Sequence, residues 1–256
     1  MHQVFYYSDK GVQREINEDN FWICGTWNRD VSDHISGSME ERGEEFSLYA
    51  VFDGMGGEEC GEKASAIAAE VFDGLHREAA GLKNFDAFEM LLSGYVEEAK
   101  KKILHVLEKE GALIGGTTIS GIAIYQKRIL PFWIGDSRIY LLKKSGGLSL
   151  LSRDETIAWK KMAHGEMTEE EARNSRYWHV LTNYLGEEEG RFSLGEEETV
   201  EEGDRILLLS DGITDRHRDM ELKEVFSESF DRIEETLADW VEHNGEDNGT
   251  VVMIII

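Results

Sequence analysis

The sequence predicts one layered α+β domain with sheet at its centre. Three features carry that expectation: short β-rich runs broken by turn residues along most of the chain, two amphipathic helical stretches in immediate succession, and no linker-like segment or internal repeat within 256 residues. A globule of this length buries roughly 70 to 75% of the surface its unfolded chain exposes. Hydrophobic residues at 41% supply the material for such a core, and charged residues at 31% supply a solvated exterior.

The strand-like runs are 20–24, 46–52, 117–125, 129–134, 139–142, 148–151, 205–209 and 251–256. Where the connections are short, as between 117 and 151, successive strands are expected to pair antiparallel. The polar stretch 25–45 reads as a long hairpin loop between the first two runs. Helical periodicity begins after the glycine-rich block at 53–57, with Ala64, Ile67, Ala68, Val71 and Leu75 on one face. A second helix places Phe85, Phe88, Leu92, Val96, Ala99, Ile103 and Leu107 inward and a run of Glu and Lys outward. Two shorter helices are expected around 222–226 and 233–241. The Glu- and Arg-rich segment 154–178 reads as a mobile subdomain over a site, although an ordinary surface helix pair has the same pattern; Thr168 and Glu171 have capping-box spacing.

The formal net charge of −25, from 52 acidic against 27 basic residues, argues against a nucleic-acid partner or an anionic membrane, both of which need clustered Lys and Arg. The two cysteines, Cys24 and Cys60, lack the close pairing of a zinc site or disulfide framework, which favours a reducing cytoplasm. A signal-peptide pattern and any run of about 18 apolar residues are both missing, so neither secretion nor membrane insertion is expected.

Four aspartates stand where predicted strands meet turns: Asp19, Asp53, Asp136 and Asp211, and a fifth, Asp247, precedes the last strand. A carboxylate at the end of an apolar strand is costly to bury unless a cation or hydrogen bonds meet its charge. Each Asp-Gly alone is an ordinary turn signal. Taken jointly, strand ends of packed sheets can bring distant carboxylates to one edge, and an all-oxygen set selects hard ions, Mg²⁺, Mn²⁺ or Ca²⁺.

The blocks Ser8-Asp9-Lys10-Gly11, Arg14, Asn17-Glu18-Asp19, Asp53-Gly54-Met55-Gly56-Gly57, Gly61-Glu62, Ala64-Ser65, Gly115-Gly116-Thr117-Thr118, Gly135-Asp136-Ser137-Arg138, Leu181-Thr182 to Gly186, Ser210-Asp211-Gly212 and Asp247-Asn248-Gly249-Thr250 span nearly the whole chain. In order and spacing they resemble the type 2C serine/threonine phosphatases, bacterial branch. The resemblance implies a central β-sandwich of two antiparallel sheets flanked by helix pairs, in one domain over 1–256 with a flap at 154–178. It implies two tightly bound Mn²⁺ or Mg²⁺ ions and a looser third. Asp53, Asp211 and Asp247 with the Gly54 carbonyl match the binuclear ligands, and Glu18 and Asp19 match the family's acidic pair. Asp136 matches the third-ion ligand, shared with Asp211 or Asp215, and Arg14 matches the phosphate-gripping arginine. Catalysis, with Arg14, Asp19, Asp53 and Asp211 at its centre, would be direct attack of a metal-activated water on phosphoserine or phosphothreonine of a protein substrate in signal transduction. The enzyme is expected to be monomeric.

Two positions depart from the family pattern. Met55 stands where some relatives carry a histidine that protonates the leaving alcohol, which leaves water on a third ion, His179 or His164 as alternatives. Asp154-Glu155-Thr156 stands where bacterial relatives usually have Asp-His-Ser, pointing to altered substrate preference. Rival readings are a pseudophosphatase acting as a regulatory module, against which the complete carboxylate set speaks, and a phosphatase of small phosphoesters.

Overall fold

In a computed structural model, residues 1–29, 32–41, 46–56, 60–112 and 114–256 are described. The chain runs β1 (His2–Asp9), β2 (Asn20–Ile23), β3 (His34–Glu41), β4 (Phe46–Phe52), β5 (Gly54–Met55), α1 (Cys60–Ala79), α2 (Phe85–Glu110), β6 (Gly116–Thr117) and β7 (Ile119–Tyr125). It continues through β8 (Arg128–Ile134), β9 (Arg138–Leu142), β10 (Leu148–Leu150), α3 (Ile157–Ala163), α4 (Glu169–Arg173), β11 (Ser193–Leu194), β12 (Glu198–Thr199) and β13 (Arg205–Leu209). It ends with α5 (Asp211–Thr214), α6 (Asp219–Val225), α7 (Phe230–Asn244) and β14 (Gly249–Ile255).

Two antiparallel sheets lie face to face, one ordered β10-β9-β13-β14-β1-β3 and the other β11-β8-β7-β4-β2 with β12 beside β8. Because side chains alternate along a strand, each sheet offers one face to its partner and one to helices. Phe21, Ile23, Tyr49, Val51, Ile206 and Leu208 fill the space between the sheets. Their neighbours Trp22, Leu48 and Ala50 turn outward onto α1 and α2, and Leu207 and Leu209 turn outward onto α5, α6 and α7. Four layers result, and the interior strands, covered on both faces, read as continuous apolar runs rather than as apolar-polar alternation.

The helices end where their sequence allows. The Asn84 side chain accepts from the Ala87 amide to start α2, and Gly111 at φ 68° closes it. The Thr168–Glu171 capping box forms as its spacing predicts. Helices α3 and α4 form a small unit of their own around Ala158, Ala172 and Trp178. No helix among the described residues is long and apolar enough to cross a membrane.

Two expectations need correction. The stretch 25–45 is not simply a loop, since it contains β3, which pairs along all eight residues with β1 at the sheet edge. Its composition concealed it: an edge strand needs only a half-buried face, and His34-Ile-Ser-Gly-Ser-Met-Glu-Glu41 has few apolar residues. Residues 30, 31 and 42–45 of that stretch lie outside the described residues. Antiparallel pairing of successive strands holds for β7 with β8 and for β9 with β10, but β8 and β9 belong to different sheets. Residues 135–137 carry the chain across the sandwich, and Gly135 at φ 100° permits the reversal.

Phe72 of α1 is fully buried and contacts the rings of Trp22, Phe52, Tyr95 and Phe132 at centroid distances of 5.4, 5.8, 5.3 and 6.2 Å. Replacing Phe72 by Ala is expected to cost about 3–5 kcal/mol, read from the urea midpoint of the metal-saturated protein. Met90→Ala, on the exposed side of α2, should shift stability by no more than about 0.5 kcal/mol. Equal midpoints for the two variants would contradict the packing described.

Candidate active site

Strand register explains why distant carboxylates meet. Asn20 pairs with Phe52, which sets Asp19 and Asp53 side by side at one end of the second sheet. Leu209 pairs with Arg138 and with Val251 in the first sheet, so Asp136, Asp211 and the turn before β14 gather at the same end of the sandwich. Asp53, Asp136, Asp211 and Asp247 line one cleft of about 420 Å³, together with Arg14, Glu18, Gly54, Met55 and His179. Asp215, one turn along α5, places a carboxylate oxygen within 4.8 Å of ligand atoms of Asp211 and His179. Asp19 is not on the cleft wall: it is 2% exposed.

Small polar residues at the strand ends hold the Asp19 side chain and the backbone at Glu18 and Asp53. Ser210 donates to Asp19 Oδ2 at 2.8 Å, and the Thr250 amide donates to Ser210 Oγ at 2.8 Å. Asn17 donates to Ser8 Oγ, which in turn meets Thr250 Oγ1. The Asn248 side chain accepts from the Glu18 amide and donates to the carbonyls of Lys10 and Ile16. On the other sheet, Thr118 Oγ1 accepts from the Asp53 amide, while the Thr118 amide and the Thr117 hydroxyl donate to the Asp53 carbonyl. These residues fall inside the sequence motifs, but only the fold shows that they act as struts rather than ligands. Gly54 is required by close approach, since a Cβ there would stand 2.4 Å from the Glu18 carbonyl oxygen and 2.5 Å from that of Gly61. Gly57 lies outside the described residues.

The electrostatics are those of an acidic cluster with too little positive charge. Burial, then the neighbouring carboxylates, push Asp53 and Asp136 well above the usual carboxylate range. Burial raises Asp19 to about 8 and Asp215 to about 6, and raises Glu18 and Asp247 as well. Two like charges about 5 Å apart repel by about 3 kcal/mol at an effective dielectric of 20. Arg14 brings a guanidinium to the wall, Nη2 lying 2.6 Å from Asp247 Oδ2 and Nη1 4.0 Å from Glu18 Oε2. His179 Nδ1 sits 3.3 Å from Asp215 and 3.6 Å from Asp211, and the hydrogen bond with Asp211 leads a rise in its pKa to about 9. His164, by contrast, caps α3 and is absent from the cleft lining.

Divalent cations fit this donor set. Glu18 Oε1 and Asp19 Oδ1 are buried without a hydrogen-bond partner among the described residues, a costly state for carboxylate oxygen unless a cation or water meets it. The carboxylates and the Gly54 carbonyl offer oxygen, as hard divalent ions require, and His179 adds a ring nitrogen beside Asp211 and Asp215.

The sequence suggested a role for Glu155 in substrate choice; its contacts are internal. Glu155 Oε2 accepts from the Gly135 amide at 2.9 Å and from Asn183, and Oε1 accepts from Ser193 Oγ at 2.7 Å. Its own amide donates to the Gly135 carbonyl at 3.0 Å. The side chain therefore clamps the turn that presents Asp136.

A model of the protein phosphatase 2C family matches residues 29–244. The chain belongs to that family. The serine/threonine phosphatase stp of Listeria innocua is 27% identical over 99% of this chain and 95% of its own length. The serine/threonine protein phosphatase PstP of Mycobacterium tuberculosis is 30% identical over 96% of this chain, which corresponds to 43% of PstP. The crystal structure of M. tuberculosis PstP/Ppp superposes with a TM-score of 0.81 at 26% identity, covering 100% of this chain and 99% of that one. A structure of a PstP catalytic domain in complex with two manganese ions matches with a TM-score of 0.78 at 27% identity, over 100% of this chain and 99% of that one. The α+β sandwich and its helix pairs are thus those of 2C-type phosphatases.

Two outcomes follow from the site. A carboxyl whose pKa is raised by folding binds more protons in the native state, so its stabilisation is complete below the unfolded value of about 3.9 and is lost as pH rises through the folded value. With Asp19 at about 8 and Asp53 and Asp136 raised, EDTA-treated protein should melt at a lower temperature at pH 8 than at pH 5.5, and Mn²⁺ should raise Tm most at pH 8. A metal-free Tm that climbs over this interval would contradict the cluster. For the clamp, Glu155→Ala strands the Gly135 amide and should cost about 1–3 kcal/mol. Glu155→Gln, which can still accept from Gly135 and donate to Ser193, should retain most of the stability in the same urea titration, and equal losses would contradict the clamp.

Proposed function

We propose that this chain is a metal-dependent serine/threonine protein phosphatase that hydrolyses phosphoserine and phosphothreonine with no covalent phosphoenzyme. The observation that carries this reading is the convergence of Asp53, Asp136, Asp211 and Asp247, from separate strand ends, on one cleft with Arg14. The manganese in the PstP catalytic domain supports the same cofactor here.

Asp53, Asp211 and Asp247 with the Gly54 carbonyl would hold two Mn²⁺ or Mg²⁺ ions, with Glu18 and Asp19 beside them, and Asp136 with Asp211 or Asp215 would hold a third. When bound, the ions supply a water of lowered pKa as nucleophile and offset the charge on the phosphoryl oxygens. The chain's own part is placement. The backbone of Asp53 is fixed by the Thr117 and Thr118 hydroxyls and the Thr118 amide, and the Asp211 carbonyl accepts from the Asp215 amide, so little reorganisation is needed when charge develops. Arg14 reaches the cleft from the loop after β1, where its guanidinium can meet an equatorial phosphoryl oxygen. His179 stands on the wall at Asp211 and Asp215, able to hold a proton near the leaving alcohol, while Met55 occupies the histidine position of some relatives and carries none. Cys60 is buried at the start of α1 and takes no part.

The unit 154–178 would act as a flap that sets which phosphoprotein enters. A cytoplasmic, monomeric enzyme in signal transduction is the setting that fits. The full carboxylate set gives the pseudophosphatase reading no foothold.

The purified protein should hydrolyse p-nitrophenyl phosphate and a phosphothreonine peptide with Mn²⁺ or Mg²⁺ and stop when EDTA is added. Asp211→Asn should lower kcat by at least about 100-fold while leaving the urea midpoint in EDTA near that of the parent, since a lost ligand charge weakens metal binding without opening a cavity. Turnover that persists in EDTA, or full activity in Asp211→Asn, would overturn the proposal.

A further inference from the structure

The catalytic cleft has a roomier neighbour. A second groove of about 730 Å³ runs between the α3–α4 unit, β9–β10 and the start of α6. Its floor is built from Trp178, with Arg173 and Arg138 over the indole at 4.8 and 5.9 Å from the ring centroid, and its sides include Trp159, Met162 and Met220. Met220 is 74% exposed.

The groove lies beside the catalytic cleft across a shared wall, because nearby residues of three segments face one or the other. Asp136 lines the cleft and Arg138 the groove; His179 lines the cleft and Trp178 the groove; Asp215 lies against His179 while Arg218 lines the groove. The shared wall is tied together, for Trp178 Nε1 donates to Asp215 Oδ1 at 2.7 Å and Arg173 Nη1 to the Asp215 carbonyl at 3.3 Å. An extended peptide advances about 3.3 Å per residue, so residues about three positions from a phosphorylated side chain in the cleft lie about 10 Å along.

The groove lining carries more basic than acidic residues, Arg138, Arg153, Arg173 and Arg218 against Glu169 and Asp219, in a chain of formal charge −25. Arg138 is consumed by a bidentate pair with buried Asp154 at 2.9 and 2.6 Å. One carboxylate oxygen, Glu169 Oε1, serves both Arg173 at 2.9 Å and Arg218 at 3.1 Å. Arg153 is exposed and enters no ion pair among the described residues. An aromatic and methionine-lined trough with a spare guanidinium at its rim complements an apolar segment that carries carboxylates.

We infer that this groove is a docking subsite for the substrate chain beside the phosphorylated residue, and that it selects acidic residues interspersed with apolar ones. The inference rests on the phosphatase reading and specifies its substrate class. It runs against the bulk field of the protein, which by itself favours basic peptides.

The test compares kcat/KM for two phosphothreonine peptides that differ only in flanking residues about three positions away, Glu and Leu in one and Lys and Leu in the other. Wild-type protein should prefer the acidic peptide, and the preference should shrink with added salt. Arg153→Glu, at an exposed position, should cut the acidic-to-basic ratio by about five- to tenfold, and Arg218→Gln should cut it less. A wild-type ratio at or below one, or a ratio moved less than twofold by Arg153→Glu, would overturn the docking inference. Mn²⁺-dependent hydrolysis of p-nitrophenyl phosphate separates the two levels: its presence with an unmoved ratio removes the groove alone, and its absence removes the phosphatase reading.

Discussion

Mutual repulsion among carboxylates confined to one edge of a rigid sandwich is the constraint on which the rest of this structure turns. Burial and neighbouring charge raise Asp19, Asp53, Asp136 and Asp247 together, and one arginine on the wall cannot offset them. Such a cluster survives only where the scaffold beneath it is stable enough to impose it. The scaffold has the means: apolar layers cover both faces of the interior strands, and the site residues sit at the ends of strands whose interiors are fully buried.

The same constraint explains the character of the surrounding residues. Serine, threonine and asparagine at the strand ends offer donors and acceptors of fixed direction, orienting ligands without adding charge. Glycine at 54 lets two backbones approach where any side chain would collide. Glu155, a carboxylate inserted next to an already acidic region, is tolerated because the Gly135 amide, Asn183 and Ser193 surround it with donors. On the far side of Asp215 the balance of charge shifts within two or three residues, and arginines outnumber carboxylates along the wall.

Much of this was legible in the sequence because the signals were strong and local. Helices α1 and α2 have long apolar stripes, and the interior strands are apolar throughout. The five aspartates stand at strand ends, where burying a charge needs a reason. Edge strand β3 was hidden because half of its surface faces water and its composition is that of a loop. The passage of the chain between sheets at 135–137 was hidden because a short turn looks the same whether its strands pair or part; only a positive φ at Gly135 distinguishes them. The roles of Ser210, Thr118 and Asn248 depend on contacts across as many as 238 positions, which no local pattern contains. His179 carried no signal beyond its residue type, and its place on the wall follows from how the α3–α4 unit returns to the sandwich.

The central claim is that hard cations occupy the space between these aspartates. Anomalous diffraction at the manganese edge, from crystals soaked in Mn²⁺, tests it most directly. The account predicts peaks inside the cleft within bonding distance of Asp53 and Asp211, with Glu18 Oε1 and Asp19 Oδ1 turned to the ions or to water held between. An ordered crystal at saturating Mn²⁺ with no peak in that cleft, or with the ion bound at another part of the surface, would contradict it.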